Sequence, residues 1–175
     1  MVQENRFISK NLENKVRRKI FDDSDSFNCK EVKPKNSKLV GQGEARCVFE
    51  RDDSIIKIAR GHEGIAQNSS VYHIIDDIEE SRDSFALPLD GIEGIAIKQE
   101  KVTPYEETVK QSKVRKINRS QAEPIKEGTD REKMYKQMKK ASQKDGIQCD
   151  DWQNPYNWGV KNNELVLVDL GECKK

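Results

Sequence analysis

Three short runs, "KLV", "RCVFE" and "SIIKIA", fall between Lys38 and Ala59 and are separated only by "GQGEA" and "RDD". Apolar pieces this short, broken by Gly and Asp, have no room for a helix and read as a three-stranded antiparallel meander. Next, Val71, Ile74, Ile75 and Ile78 share a helical face, so an amphipathic helix is expected over Gln67 to Glu80. "FALPLD" and "GIAIKQE" then make a second strand pair around Gly91. The expected core is five antiparallel strands with one helix, an α+β arrangement.

Upstream, Ile8, Leu12, Val16 and Ile20 recur every four residues and place one apolar stripe on a basic helix. From Asp22 to Ser37 the chain turns to Asp, Ser, Asn and Lys with one Pro and reads as a linker. Downstream the character becomes helical. Thr103, Pro104 and Glu106 have the form of a capping box with Pro at the first helical position. Thr129 with Glu132 repeats the signal before a helix marked by Met134, Met138 and Ala141 that ends near Gly146. Asn118 to Gly128 and Gln148 to Tyr156 read as loops, and a hairpin of "WGV" and "ELVLVDL" turns at Asn162 and Asn163. The expected divisions are residues 1–37, helix and linker; 38–102, a strand-rich lobe; and 103–175, a minimal helical lobe.

Lys+Arg number 32 against 31 Asp+Glu in 175 residues, a balance that argues against a general affinity for nucleic acid or membranes. The segment from Lys98 to Lys144 carries 14 basic and 7 acidic residues, but its only aromatics are Tyr105 and Tyr135, thin support for stacking on bases. No run approaches the roughly 20 apolar residues that cross a bilayer. Cys29, Cys47, Cys149 and Cys173 are widely spaced and form no C-x-x-C pair. With no signal-like apolar segment, the expectation is reduced thiols in a soluble, cytoplasmic protein.

Several residues could carry chemistry. Gly41 and Gly43 lie between two strands, where missing side chains let backbone amides approach a phosphate. Alternation puts Lys57 on the same strand face as Ile55 and Ala59. An inward Lys either meets an anion or snorkels to the sheet edge. Asp76 on the following helix could pair with it or be solvated. Asp169 ends the most apolar strand and precedes Leu170 and Gly171, so it can hold a divalent cation, and Asn157, twelve residues earlier, can add a neutral oxygen. Asp150 and Asp151 stand where a carboxylate could accept a hydroxyl proton.

In this order the motifs resemble the protein kinase-like superfamily. "GQGEAR" matches the glycine-rich loop, Lys57 the phosphate-pairing lysine, "DDWQNPYN" the catalytic loop and "DLG" the magnesium-binding triplet. The pattern covers about Leu39 to Glu172, and "NPYNWGV" with "LVLVDLGE" looks like small kinase-like proteins of archaea and their viruses. The resemblance implies ATP and Mg²⁺ as cofactors. It gives Gly41, Gly43 and Lys57 to the phosphates, Asn157 and Asp169 to the metal, Asp151 or Asp150 to the base, and Lys98, Glu100 and Val102 to the hinge beside the adenine. Cys149 and Asp150 replace the usual His-Arg, and five residues rather than four separate Asp151 from Asn157. The chain ends just after the D-x-G, so a partner protein completing the smaller lobe is expected. Two functions follow from the resemblance: transfer of the ATP γ-phosphate to a hydroxyl, or a pseudokinase that binds and regulates without transfer.

Overall fold

The computed structural model describes residues 6–22, 27–76, 85–104, 136, 139, 140, 143–149, 157–162, 164–168, 173 and 174. Contacts divide the chain into two units, the first comprising 1–69 and 88–101, the second 70–87 and 102–175.

The first unit is built on one five-stranded antiparallel sheet: β1 (Lys38–Gln42), β2 (Arg46–Arg51), β3 (Ser54–Ala59), β4 (Pro88–Ile92) and β5 (Ala96–Glu100), in the order β1-β2-β3-β5-β4. The meander and the second strand pair therefore form as their turn chemistry predicts. Glu93 and Gly94, between β4 and β5, both have positive φ, the backbone signature of a tight hairpin that follows sheet twist. A Cβ on Gly94 would also sit 2.6 Å from Ser69 Oγ.

One face of this sheet is closed by the N-terminal segment. α1 (Lys10–Phe21) starts at Ser9, whose side chain accepts the Leu12 amide at 3.2 Å. Its stripe docks as expected, with Val16 and Ile20 buried and Leu12 partly so. They join Phe7, Ile8, Phe49, Ile56, Ile58 and Ala96 in one cluster. The stretch read as a linker also enters it. A turn of 3₁₀ helix at Cys29–Val32, capped reciprocally by Asn28 and Glu31, buries Phe27, Cys29 and Val32 against the sheet. Three apolar anchors suffice where average composition suggests none.

The expectation of reduced thiols is also corrected. Cys29 and Cys47 form a disulfide that staples this turn to β2. Cys173 is disulfide-bonded as well, and no described cysteine is free.

α2 (His62–Asp76) begins five residues earlier than its apolar stripe suggests, because Gly64 is packed rather than helix-breaking. A Cβ there would overlap the Ala45 carbonyl oxygen and lie 2.9 Å from Ala59 Cα. Val71, Ile74 and Ile75 are buried as predicted.

In the second unit the hairpin of β8 (Trp158–Lys161) and β9 (Glu164–Leu167) forms as expected, with Asn162 at positive φ. Its partner was unforeseen. Thr103 and Pro104 form the short β6, paired with Val160 and Gly159, so Pro104 is a strand residue and not the first of a helix. A residue before proline is driven toward extended backbone, and proline is tolerated at a strand edge. Gly159 lets β6 come close, since a Cβ there would overlap a Val102 methyl. β7 (Gln148–Cys149) pairs with β10 (Cys173–Lys174), Cys149 opposite Cys173. Residues 136, 139, 140, 143 and 144 are helical, and Gly146 follows at positive φ, near the expected helix end. The capping box at Thr129 and the loop over Asn118 to Gly128 lie outside the described residues. No helix among the described residues is long and apolar enough to cross a membrane.

Candidate functional site

The strand register sets Gly41, Val48, Lys57, Ile97 and Gly91 in one row across all five strands. Directly opposed residues point to the same side of a sheet, so Lys57 projects between Val48 and Ile97. It is 6% exposed. The opposite side carries Cys47, Phe49, Ile56 and Ile58 into the core under α1. Lys57 therefore rises from the central strand on the face that α1 does not cover. Arg46, two residues before Val48, projects to the same side and is 7% exposed. Two buried cations on one sheet face carry a desolvation cost that anionic partners must offset.

Next to this row lies the glycine-rich turn. β1 shifts register between Leu39 and Gly41, and the Gly43 amide donates to the Arg46 carbonyl at 2.9 Å. Neither glycine is at positive φ. A Cβ on Gly43 would come no nearer than 3.8 Å to any atom, and one on Gly41 would make only a 3.4 Å contact with Val48 Cβ. Local conformation and packing therefore do not demand glycine at either place. What glycine provides there is backbone not covered by a side chain.

The remaining predicted positions divide into three groups. Lys98 and Glu100 lie in β5 opposite Ile56 and Ser54, so their side chains project away from the Lys57 face. Only their backbone can serve anything bound there. Val102 follows the strand, half-buried.

Asn157 is 2% exposed, and its carbonyl accepts the Val168 amide at 2.7 Å. The hairpin therefore returns the chain to Asn157 at Val168.

Asp76 is the last residue of α2, with its side chain outside the description. Asp150, Asp151 and Asp169 lie outside the described residues. Among those described, no three His, Cys, Asp or Glu side chains converge.

Sequence reasoning missed Arg46, although its place two residues before the Val48 that faces Lys57 was a usable signal. It also missed Glu13, an acid inside the α1 stripe that is 2% exposed. Arg6, Lys10 and Arg17 contact its carboxylate at 2.9, 2.9 and 3.1 Å. Burial acts to raise the pKa of Glu13, but hydrogen bonds from Lys10 and Arg17 outweigh it and hold the carboxyl below its ordinary value. Arg17 continues to Glu93 at 2.6 Å, tying α1 to the β4–β5 turn.

No family model matches the sequence, and no curated protein sequence matches it either. Among solved structures, the chain is similar to WbdD, whose structure is a co-crystal with the kinase inhibitor LY294002. The TM-score is 0.52 at 16% identity, over 85% of this chain and 34% of that one. The chain thus spans about a third of the length of WbdD. This likeness is one of fold, between this α+β chain and part of a protein crystallised with a kinase inhibitor.

Proposed function

We propose that this protein is a kinase-like binder of Mg-ATP that holds the nucleotide phosphates between the glycine-rich turn and Lys57. The observation that carries the reading is the row from Gly41 to Lys57. A lysine is buried in the central strand, two strands across from a turn whose glycines local sterics do not require. The likeness to part of WbdD, a protein crystallised with a kinase inhibitor, supports it. On this reading Lys57 neutralises phosphate charge, Arg46 adds a second cation, and the β5 backbone from Lys98 to Glu100, with Val102, borders the base. Mg²⁺ would be held by Asn157 and Asp169 and would offset further phosphate charge. Asp151 or Asp150 would take the proton of a hydroxyl acceptor, and a partner protein would complete the smaller lobe. Positioning and charge neutralisation supply most of the rate in such chemistry.

Calorimetry with Mg-ATP tests the binding step directly. The wild type binds, and Lys57→Met weakens affinity at least about tenfold, the loss of roughly one charge-assisted contact. No heat of binding at millimolar Mg-ATP would sink the reading. Transfer is a separate question: γ-labelled ATP should label an acceptor, and Asp169→Ala should abolish it. Binding without label transfer would leave a pseudokinase.

A further inference from the structure

Arg60, the first residue after β3, links the glycine-rich turn to the stapled N-terminal segment. Its Nε and Nη2 donate to the Phe27 carbonyl at 3.1 and 2.9 Å, and its Nη1 donates to the Gly43 carbonyl. Its own backbone amide donates to the Ala45 carbonyl at 2.8 Å. Two carbonyls of the turn, Gly43 and Ala45, are thus drawn to one residue. Phe27 is itself buried and lies two residues before Cys29, which the disulfide joins to Cys47 in β2. The brace is therefore anchored at its far end.

The orientation has a direct consequence. In a trans peptide the C=O and the following N–H point in opposite directions, and no described peptide is cis. With the Gly43 carbonyl held toward Arg60, the Glu44 amide points away from it. Gln42, Gly43 and Glu44 are exposed, so that amide is open to a ligand. An outward backbone N–H on a glycine turn is the element from which phosphate-binding nests are made. Only a guanidinium suits the brace: its planar fork serves two carbonyl acceptors at once, where a lysine offers a single nitrogen.

We propose that Arg60 is the positioning residue of the phosphate-binding turn, fixing the Gly43–Glu44 peptide with its N–H outward, and that the Cys29–Cys47 staple holds Phe27 where Arg60 needs it. The proposal rests on the nucleotide reading above. It goes further by naming the triphosphate, not the base, as the part of the ligand that Arg60 governs.

The test uses the full chain with Arg60→Lys and the double variant Cys29→Ala/Cys47→Ala. Affinities for Mg-ATP and adenosine are measured beside amide exchange at Gly43 and thermal melting. If the competent turn falls to about a tenth of the population, Arg60→Lys weakens Mg-ATP about tenfold while adenosine changes less than about twofold. The Gly43 amide exchanges faster, and protection in β2 and β3 is retained. The double variant moves Mg-ATP in the same direction by about threefold. Wild-type Mg-ATP affinity in Arg60→Lys, or equal losses for ATP and adenosine with a lowered melting point, overturns the positioning role. If the wild type binds neither ligand, the nucleotide reading has failed. The exchange arm then decides separately, and an unchanged Gly43 amide in Arg60→Lys overturns the brace itself.

Discussion

The two faces of the five-stranded sheet are built from alternate residues of the same strands, yet they are furnished in opposite ways. On one, Cys47, Phe49, Ile56 and Ile58 are fully buried under α1 and the 3₁₀ turn. On the other, Arg46 and Lys57 are nearly as buried but carry charge. The first face needs nothing beyond its own chain: each fully buried large side chain stabilises by about 1.5–3 kcal/mol. On the second, burying Arg46 and Lys57 costs desolvation that polar and charged contacts, rather than apolar packing, must offset. The packed face and the face to which nucleotide binding is proposed are thus separated by a single residue step along β2 and β3. Substitutions on one side should leave the property of the other untouched.

Truncation on the packed face should have the largest effect. Phe49→Ala, at the centre of the cluster, is expected to cost about 3–5 kcal/mol in denaturant unfolding. Mg-ATP affinity should stay near wild type under conditions where the variant is folded. A tenfold affinity loss in the folded variant would show that the two faces are not separable. Removing the staple comes next. The disulfide spans 18 residues, for which chain-entropy arguments give about 3 kcal/mol. Cys29→Ala/Cys47→Ala should therefore lower the unfolding free energy by a comparable amount.

Gly64→Ala sharpens the comparison where α2 meets the turn. The added methyl has no space between the Ala45 carbonyl and Ala59, both backbone-defined, so the helix start or the turn must shift. A cost of about 1–3 kcal/mol is expected. Because Ala45 also accepts the Arg60 amide, Mg-ATP binding should weaken as well. A variant as stable as wild type would mean that the helix start is looser than this packing implies. Lys57→Met should be the mirror image of Phe49→Ala, with ligand affinity lost and melting temperature preserved within a few degrees.

The Lys57 face was the more legible of the two. Strand alternation alone put Lys57 inward, and the short breaks at "GQGEA" and "RDD" marked the strand ends. The packed face was legible only on one side: the α1 stripe announced that it must dock, but not on what. Its partner segment carries Phe27, Cys29 and Val32 among many polar residues, and averaging over composition dilutes three anchors into an apparent linker. A disulfide between cysteines 18 residues apart leaves no local pattern. Thr103 and Pro104 misled for a different reason, because a capping signature and an extended pre-proline strand share the same letters, and pairing with β8 decides between them. Arg60 had no sequence signal, since its role is set by two carbonyls from distant segments.

The smallest expected effect concerns Glu13, the charged exception on the packed face. With its partners Arg6 and Lys10 still partly in water, breaking the cluster by Glu13→Gln should cost about 1–2 kcal/mol at neutral pH, less than for a fully buried pair. The effect must depend on pH in one direction. The folded-state pKa of Glu13 lies below the ordinary 4.5, so the folded protein binds fewer protons at this site than the unfolded chain, and folding gains as pH rises. The contribution is complete above the unfolded value and is lost as pH falls through the folded one. Wild type and Glu13→Gln should therefore differ most near neutrality, and their unfolding free energies should converge in acid. A difference that persisted unchanged in acid strong enough to protonate the carboxylate in both states would mean that Glu13 acts by shape and not by charge. The α1 face would then be held by packing throughout, and the separation between the two sides of the sheet would be complete.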